Sequence, residues 1–133
     1  MTNIRNRYRL LRIVIPPVFV LWTITMLALT LLPGDAIPSV SLFSYDKVGH
    51  FGMFGGWTFF LGLYMIVYRE NVEINLYLLA LTGILFGAFI EVLQYLLPTN
   101  RTASWGDIIA NTLGCITAIL VLHPLKNFLK SKR

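Results

Sequence analysis

Charge is scarce in this sequence: only 13% of its 133 residues are charged, and six of them are acidic. Soluble domains carry about 25% charged residues, whereas 56% of this chain is hydrophobic and its mean hydropathy is +0.71. The composition therefore excludes an ordinary soluble domain and predicts a chain built for lipid. Its length predicts a single domain over residues 1–133.

Cysteines and recognisable catalytic motifs are nearly absent as well. The single cysteine, Cys115, cannot form an intramolecular disulfide and is expected to be a small packing residue. No G-x-S-x-G motif marks a serine nucleophile. No basic face interleaved with reader residues marks a nucleic-acid surface, so the net charge of +5 needs another explanation.

The basic residues gather near the two ends of the chain, which hold eight of the eleven lysines and arginines. Such clusters mark the cytoplasmic flanks of membrane-spanning helices and also attract anionic headgroups. The residues concerned are Arg5, Arg7, Arg9, Arg12, Lys126, Lys130, Lys132 and Arg133. An even number of spans between the clusters would place both termini in the cytoplasm.

Four apolar stretches are long enough to cross a bilayer of about 30 Å, which takes about 20 helical residues. They cover about residues 11–32, 47–68, 74–97 and 105–123. Pro16-Pro17 either opens the first helix or kinks its first turn, and no A-x-A-like site follows to make the first stretch a cleaved signal peptide. Short connections predict an all-α membrane protein, an antiparallel four-transmembrane-helix bundle with both termini cytoplasmic.

Two polar clusters interrupt these stretches, and both fall on the side of the membrane opposite the termini. The first opens the second stretch with Asp46, Lys47 and His50. The second runs from the third stretch into the fourth and consists of Glu91, Gln94, Arg101, Ser104, Asp107 and Asn111. Ionisable side chains at membrane depth are costly and mark functional sites, so this co-location is the main functional signal.

Helical phase directs the polar side chains toward other helices. At about 100° per residue, the shared faces are Gly83, Gly87, Glu91 and Gln94 in one stretch, and Asp107, Asn111, Gly114 and Ala118 in another. Small residues let membrane helices approach closely, so both rows should point into the bundle. An unpaired charge at Glu91 would cost on the order of 3 kcal/mol. Its expected partners are Arg101, His50, Lys47 and Gln94.

Structural roles are also open to these residues. Ser104 and Asp107 have the S-x-x-D spacing of a capping box for the fourth helix, and Asp46 suits a helix N-terminus. Gln94 and Asn111 are candidates for hydrogen bonds between helices. Independent structural roles would not, however, place all the polar residues on one side of the membrane.

The combined pattern resembles the VanZ-like family of small bacterial integral membrane proteins. The resemblance covers roughly residues 28–118, on Asp46-Lys47-x-x-His50, Glu91-x-x-Gln94, Leu97-Pro98, Arg101, Asp107, Asn111 and Gly114. Family members have one residue between the proline and the arginine, where this chain has Thr99 and Asn100. Membership implies a multi-pass protein of the bacterial cytoplasmic (inner) membrane. The founding member is associated with resistance to the glycopeptide teicoplanin, which is not assumed for this chain.

The polar residues favour a site for an anionic envelope substrate, lipid-linked or phosphorylated, such as a lipid or glycan precursor. The candidate substrate-binding residues are Asp46, Lys47, Gln94, Arg101, Ser104 and Asn111. The candidate catalytic residues are His50, Glu91 and Asp107. Arginine and lysine are suited to hold a phosphate, and a histidine acts as acid or base near neutral pH.

Two other functions fit the same sequence: a non-enzymatic scaffold whose polar network is structural, and a small transporter. The transporter is disfavoured because the half of the bundle nearer the termini has no matching ionisable path. A divalent metal on Asp46, Glu91 and Asp107 is an open alternative. The residues specify no cofactor, no oligomeric state and no particular reaction.

Overall fold

The protein is helical throughout the part that the structure, a computed structural model, describes: residues 8–33, 46–98 and 104–132. The helices are α1 (Arg9–Leu31), α2 (Asp46–Leu63), α3 (Leu76–Leu96) and α4 (Trp105–Lys130). A π-helical turn, Tyr64–Tyr68, continues α2. Together the elements give four helices that are long and apolar enough to cross a membrane. This confirms the predicted all-α architecture with four membrane-spanning segments.

Prolines do not interrupt the first and last helices. Because α1 already begins at Arg9, Pro16 and Pro17 lie inside it, and the predicted alternative that they open the helix is wrong. Pro124 likewise lies inside α4, which runs on to Lys130, beyond the apolar stretch that ends at residue 123. Membrane helices tolerate proline because neighbouring helices and local adjustments satisfy the backbone groups that it frees.

Ion pairs hold one end of the bundle together. Arg12 of α1 pairs with Glu70, and Lys130 Nζ of α4 lies 2.9 Å from a carboxylate oxygen of Glu73. Both acidic residues lie in the connection between α2 and α3, where Glu70 has the left-handed backbone (φ 56°) found mainly in turns. These contacts bring together the start of α1, the α2–α3 connection and the end of α4. We call this the basic end.

The other end, which we call the polar end, joins the end of α1, the start of α2, the end of α3 and the start of α4. Gln94 Nε2 of α3 donates to the Thr30 carbonyl of α1 over 2.7 Å, and His50 of α2 meets Asn111 of α4. Two apolar clusters fill the bundle between the ends. Their members include Ile66, Leu76, Leu79 and Leu122 in one, and Met26, Phe54, Ile90 and Cys115 in the other.

Glycines allow α2 and α4 to cross with their backbones almost in contact. A Cβ on Gly55 would lie 2.9 Å from the Gly114 carbonyl oxygen, and a Cβ on Gly114 would lie 3.0 Å from the Gly55 nitrogen. Small residues serve this purpose in membrane helices. The crossing also sets the register between the two helices, and through it the position of His50 opposite Asn111.

Apolar and aromatic side chains cover the outside of the bundle. Tyr95 and Trp105 at the polar end are 79% and 83% exposed, and Tyr77 at the basic end is 86% exposed. Tyrosine and tryptophan are enriched at the two membrane–water interfaces. Trp57, in contrast, packs inside with its ring 4.7 Å from that of Phe86. The exposed aromatic residues therefore lie near both ends of the bundle, as is typical of membrane proteins.

Candidate functional site

Four polar side chains from three helices form a buried cluster at the polar end. The residues of this cluster, which we call the buried polar cluster, are His50 of α2, Glu91 of α3, and Asp107 and Asn111 of α4. Each is at most 2% exposed. Lysine, aspartate and glutamate are almost never fully buried in proteins unless paired, so the environment of the two acids decides what the cluster can do.

Helix faces place the cluster members against one another. Glu91 lies one turn after Gly87, and a Cβ at Gly87 would come within 3.0 Å of Asn111 Nδ2. The missing side chain therefore leaves room for the amide between α3 and α4. His50 lies one turn before Phe54, whose ring stacks on the imidazole at a centroid distance of 6.1 Å. The imidazole is thus held from the core side while its Nδ1 faces Asn111 and Glu91.

His50 is the centre of the contacts in the cluster. Its Nδ1 lies 3.1 Å from Asn111 Oδ1 and 3.2 Å from Glu91 Oε1. A protonated Nδ1 can donate to the amide oxygen, and a positively charged ring can also pair with the carboxylate. Ligand-type atoms of His50, Glu91 and Asp107 all lie within 4.8 Å of one another.

Several atoms of the buried polar cluster have no hydrogen bond to any described residue. They are both carboxylate oxygens of Glu91, Oδ1 of Asp107 and Nδ2 of Asn111. The Glu91 carboxylate lies near the Ser104 backbone, the Asn111 side chain and the Asp107 carboxylate, but without the geometry of a hydrogen bond. Two acids this close repel when both are charged. Among the described residues the cluster is therefore rich in acceptors, and its one group that can carry a positive charge is His50.

Gln94 forms a hydrogen bond with α1. It is 4% exposed, and its amide donates to the Thr30 carbonyl instead of reaching Glu91. The predicted hydrogen bond between Gln94 and Glu91 is not formed, since neither carboxylate oxygen of Glu91 has a hydrogen-bond partner among the described residues. Its hydrogen bond joins α1 to α3, as expected of a polar residue that holds membrane helices together.

Lys47 and Ser104 lie at the margin of the polar end. Lys47 is exposed, and its aliphatic stem lies against Gly106, where a Cβ would be 2.6 Å from Lys47 Cε. The ammonium group is thus held beside the first turn of α4. Lysines commonly lay an apolar stem on a neighbouring surface in this way while the charge stays in water.

The predicted capping box between Ser104 and Asp107 is wrong. Ser104 does occupy the N-cap position of α4, but its side chain makes no capping hydrogen bond. Asp107 is buried and directs a carboxylate oxygen into the cluster with His50 and Glu91.

The structure gives no side-chain position for two of the predicted site residues. Arg101 and the side chain of Asp46 lie outside the part of the chain that the structure describes, although α2 begins at Asp46. The predicted pairing of Arg101 with Glu91 therefore stays a prediction.

Two buried threonines at helix contacts were not among the predicted site residues. Thr30, 0% exposed, bonds its own helix at Met26 and provides the carbonyl that Gln94 contacts. Thr58, also 0% exposed, donates to Cys115 Sγ over 3.2 Å. Threonine is common in membrane helices and bonds its own backbone, so the residue type alone carries no signal of these roles.

Together these features define a small multi-pass membrane protein with an ionisable cluster enclosed at one end of four helices. The model of the VanZ/LLP1 family matches residues 12–127, and the chain belongs to that family, as its motif pattern predicted. Neither the curated proteins nor the solved structures contain a match to this chain.

Proposed function

We propose that this VanZ/LLP1-family protein lies in the bacterial cytoplasmic membrane and binds an anionic envelope substrate, lipid-linked or phosphorylated, at its polar end. The supporting observation is the incomplete hydrogen bonding of Glu91, Asp107 and Asn111 in a fully buried cluster. A purely structural network would satisfy its own polar atoms, as the Gln94–Thr30 contact does. Unsatisfied buried groups that converge from separate helices suit the binding of a ligand.

Positive charge at the margin would hold the substrate's anionic group. Lys47, exposed beside the start of α4, and Arg101, in the next connection, are the proposed phosphate-binding residues. His50 would act as acid or base, with Asn111 and Glu91 orienting its ring. Asp107, Ser104 and Asp46 would complete the site.

A scaffold remains the second candidate function, because the Gln94–Thr30 hydrogen bond is plainly structural. A transporter has less support. Between the buried polar cluster and the basic end, the buried side chains of the described ranges are apolar except for Thr58. A single hydroxyl does not make a path for an ion or a proton.

Substrate binding is predicted to depend on the cations at the polar end. In lipid nanodiscs the protein should bind undecaprenyl phosphate more tightly than undecaprenol, since only the phosphate can accept charge-assisted hydrogen bonds. Lys47→Gln and Arg101→Gln should each weaken binding of the phosphate about tenfold, a loss of about 1.4 kcal/mol. Native mass spectrometry measures both lipids in one sample.

Lys132→Gln is the matched control, because it removes the same charge beyond the other end of α4. Equal binding of the phosphate and the alcohol, or an equal loss in all three variants, would contradict the proposed site.

His50→Gln and Glu91→Gln should abolish function while membrane expression and monodispersity stay near normal. Loss of folded protein in both would instead favour the scaffold.

We also propose that the helices alternate in direction, with both termini in the cytoplasm. In a Cys115→Ala background, an impermeant thiol reagent added to intact spheroplasts should label Ser41→Cys and not Ser131→Cys. The basic clusters at both chain ends support this orientation. Labelling of Ser131→Cys without Ser41→Cys would reverse the topology.

A further inference from the structure

We infer that His50, Glu91 and Asp107 form a binding site for a divalent transition-metal ion, of which Zn²⁺ and Mn²⁺ are the best candidates. Their potential ligand atoms lie within 4.8 Å of one another, and all three side chains are at most 2% exposed. One imidazole and two carboxylates from three helices converge on the same point. This inference does not depend on the proposed substrate, because an ion can bind whether or not a lipid does.

The distances between the potential ligand atoms are close to those that a bound ion requires. Two ligand atoms that each lie about 2.1 Å from one ion are at most about 4.2 Å apart. The separation in the structure is within 4.8 Å, so small side-chain rotations complete the coordination. No helix has to move, since His50, Glu91 and Asp107 already face one another across the interior of the bundle.

Electrostatics provides the second argument. In the described ranges neither Glu91 nor Asp107 pairs with a lysine or an arginine, and a charged His50 would balance only one of the two acids. Glu91 Oε2 and Asp107 Oδ1 are buried and have no hydrogen bond within the part of the chain that the structure describes. Both are acceptors, which is the type of atom that a cation requires. A divalent ion would balance both carboxylates at once.

Asn111 supports the same conclusion through its contact with His50. Histidines that bind metal donate their other ring N–H to an oxygen, which fixes the orientation of the ring. Asn111 Oδ1, 3.1 Å from His50 Nδ1, is placed to accept that hydrogen. The amide nitrogen Nδ2 has no partner among the described residues and is free to donate to a further ligand of the ion, such as water or a phosphate oxygen.

The donor set indicates the kind of ion. Imidazole suits zinc, iron, copper and nickel, whereas carboxylates suit magnesium, calcium and manganese. A mixed site with one nitrogen and two oxygens favours Zn²⁺ or Mn²⁺ over Mg²⁺. It would also make the proposed function physically consistent, because two buried carboxylates alone repel an anionic substrate and a bound divalent ion attracts it.

The test measures metal on the whole protein, purified through a tag without histidine and placed in nanodiscs. After chelation, titration calorimetry with MnCl₂ and ZnCl₂ should give one site per chain, with weaker binding of MgCl₂. Glu91→Gln and Asp107→Asn should each weaken binding by about a hundredfold. Glu73→Gln and His123→Gln are the matched controls, since they remove an acid and a histidine away from the cluster.

A folded wild-type chain that binds no ion overturns the inference, as does unchanged affinity in both acid variants. If the variants fail to fold, X-ray absorption of the zinc-loaded wild type decides. It should report one imidazole nitrogen with oxygen ligands, and coordination by sulfur or by two imidazoles would refute the site. Metal binding without lipid binding would refute only the proposed function. Lipid phosphate binding by a protein that takes up no metal would refute only this inference.

Discussion

Replacing Gly114 by alanine is expected to remove most of the folded, monodisperse protein. The added methyl group would overlap the Phe51 carbonyl oxygen and approach the Gly55 nitrogen to 3.0 Å. Overpacking costs about 1–3 kcal/mol where side chains can give way, and here the opposing atoms are backbone. A loss of about 3 kcal/mol is a large part of the 5–15 kcal/mol that stabilises a typical protein. Size-exclusion profiles and thermal unfolding in detergent measure the effect.

Gly52→Ala is the control for this substitution. Gly52 lies on α2 only three residues before Gly55, and a Cβ there would meet no atom within 4 Å. Alanine is the better helix former by up to about 1 kcal/mol, so this variant should be as stable as the wild type or slightly more so. Equal stability of the Gly114 and Gly52 variants would mean that α2 and α4 are further apart than the structure places them.

The four spans were predictable because lipid imposes a simple rule on the sequence. A helix must stay apolar for about 20 residues to cross the membrane, and each of the four stretches does. The helix ends were less predictable. Hydropathy reports contact with lipid and not backbone hydrogen bonding, so nothing indicated that α4 would continue through Pro124 to Lys130 or that α2 would end in a π-helical turn.

The site was predictable in part for a related reason. Helical phase tells which side chains share a face, and His50, Glu91, Asp107 and Asn111 do meet in the bundle. Phase does not tell which neighbour a face will meet. Gln94 shares the face of Glu91 and was expected to pair with it, but it contacts α1 at Thr30. The partner was missed because it is a backbone carbonyl, which every residue carries.

Substitutions at Glu91 and Gln94 are expected to change stability in opposite directions, although both residues are buried on the same face of α3. In the presence of a chelator, Glu91→Gln should raise the free energy of unfolding by about 1–2 kcal/mol. It removes the repulsion between two buried acids, Glu91 and Asp107, whose ligand-type oxygens lie within 4.8 Å of each other, and it leaves His50 with Asp107 as an acidic neighbour. Gln94→Leu should lower it by about 1 kcal/mol, since it breaks the 2.7 Å hydrogen bond to Thr30.

Denaturation in mixed micelles, monitored by circular dichroism, measures both variants against the wild type. The two changes in the free energy of unfolding have opposite signs because the residues differ in role. Gln94 completes a contact between helices, whereas Glu91 keeps a carboxylate available for a ligand and lowers stability by doing so. Proteins tolerate such costs where a ligand repays them. A loss of stability in Glu91→Gln equal to that in Gln94→Leu would instead make Glu91 a structural residue in the metal-free protein.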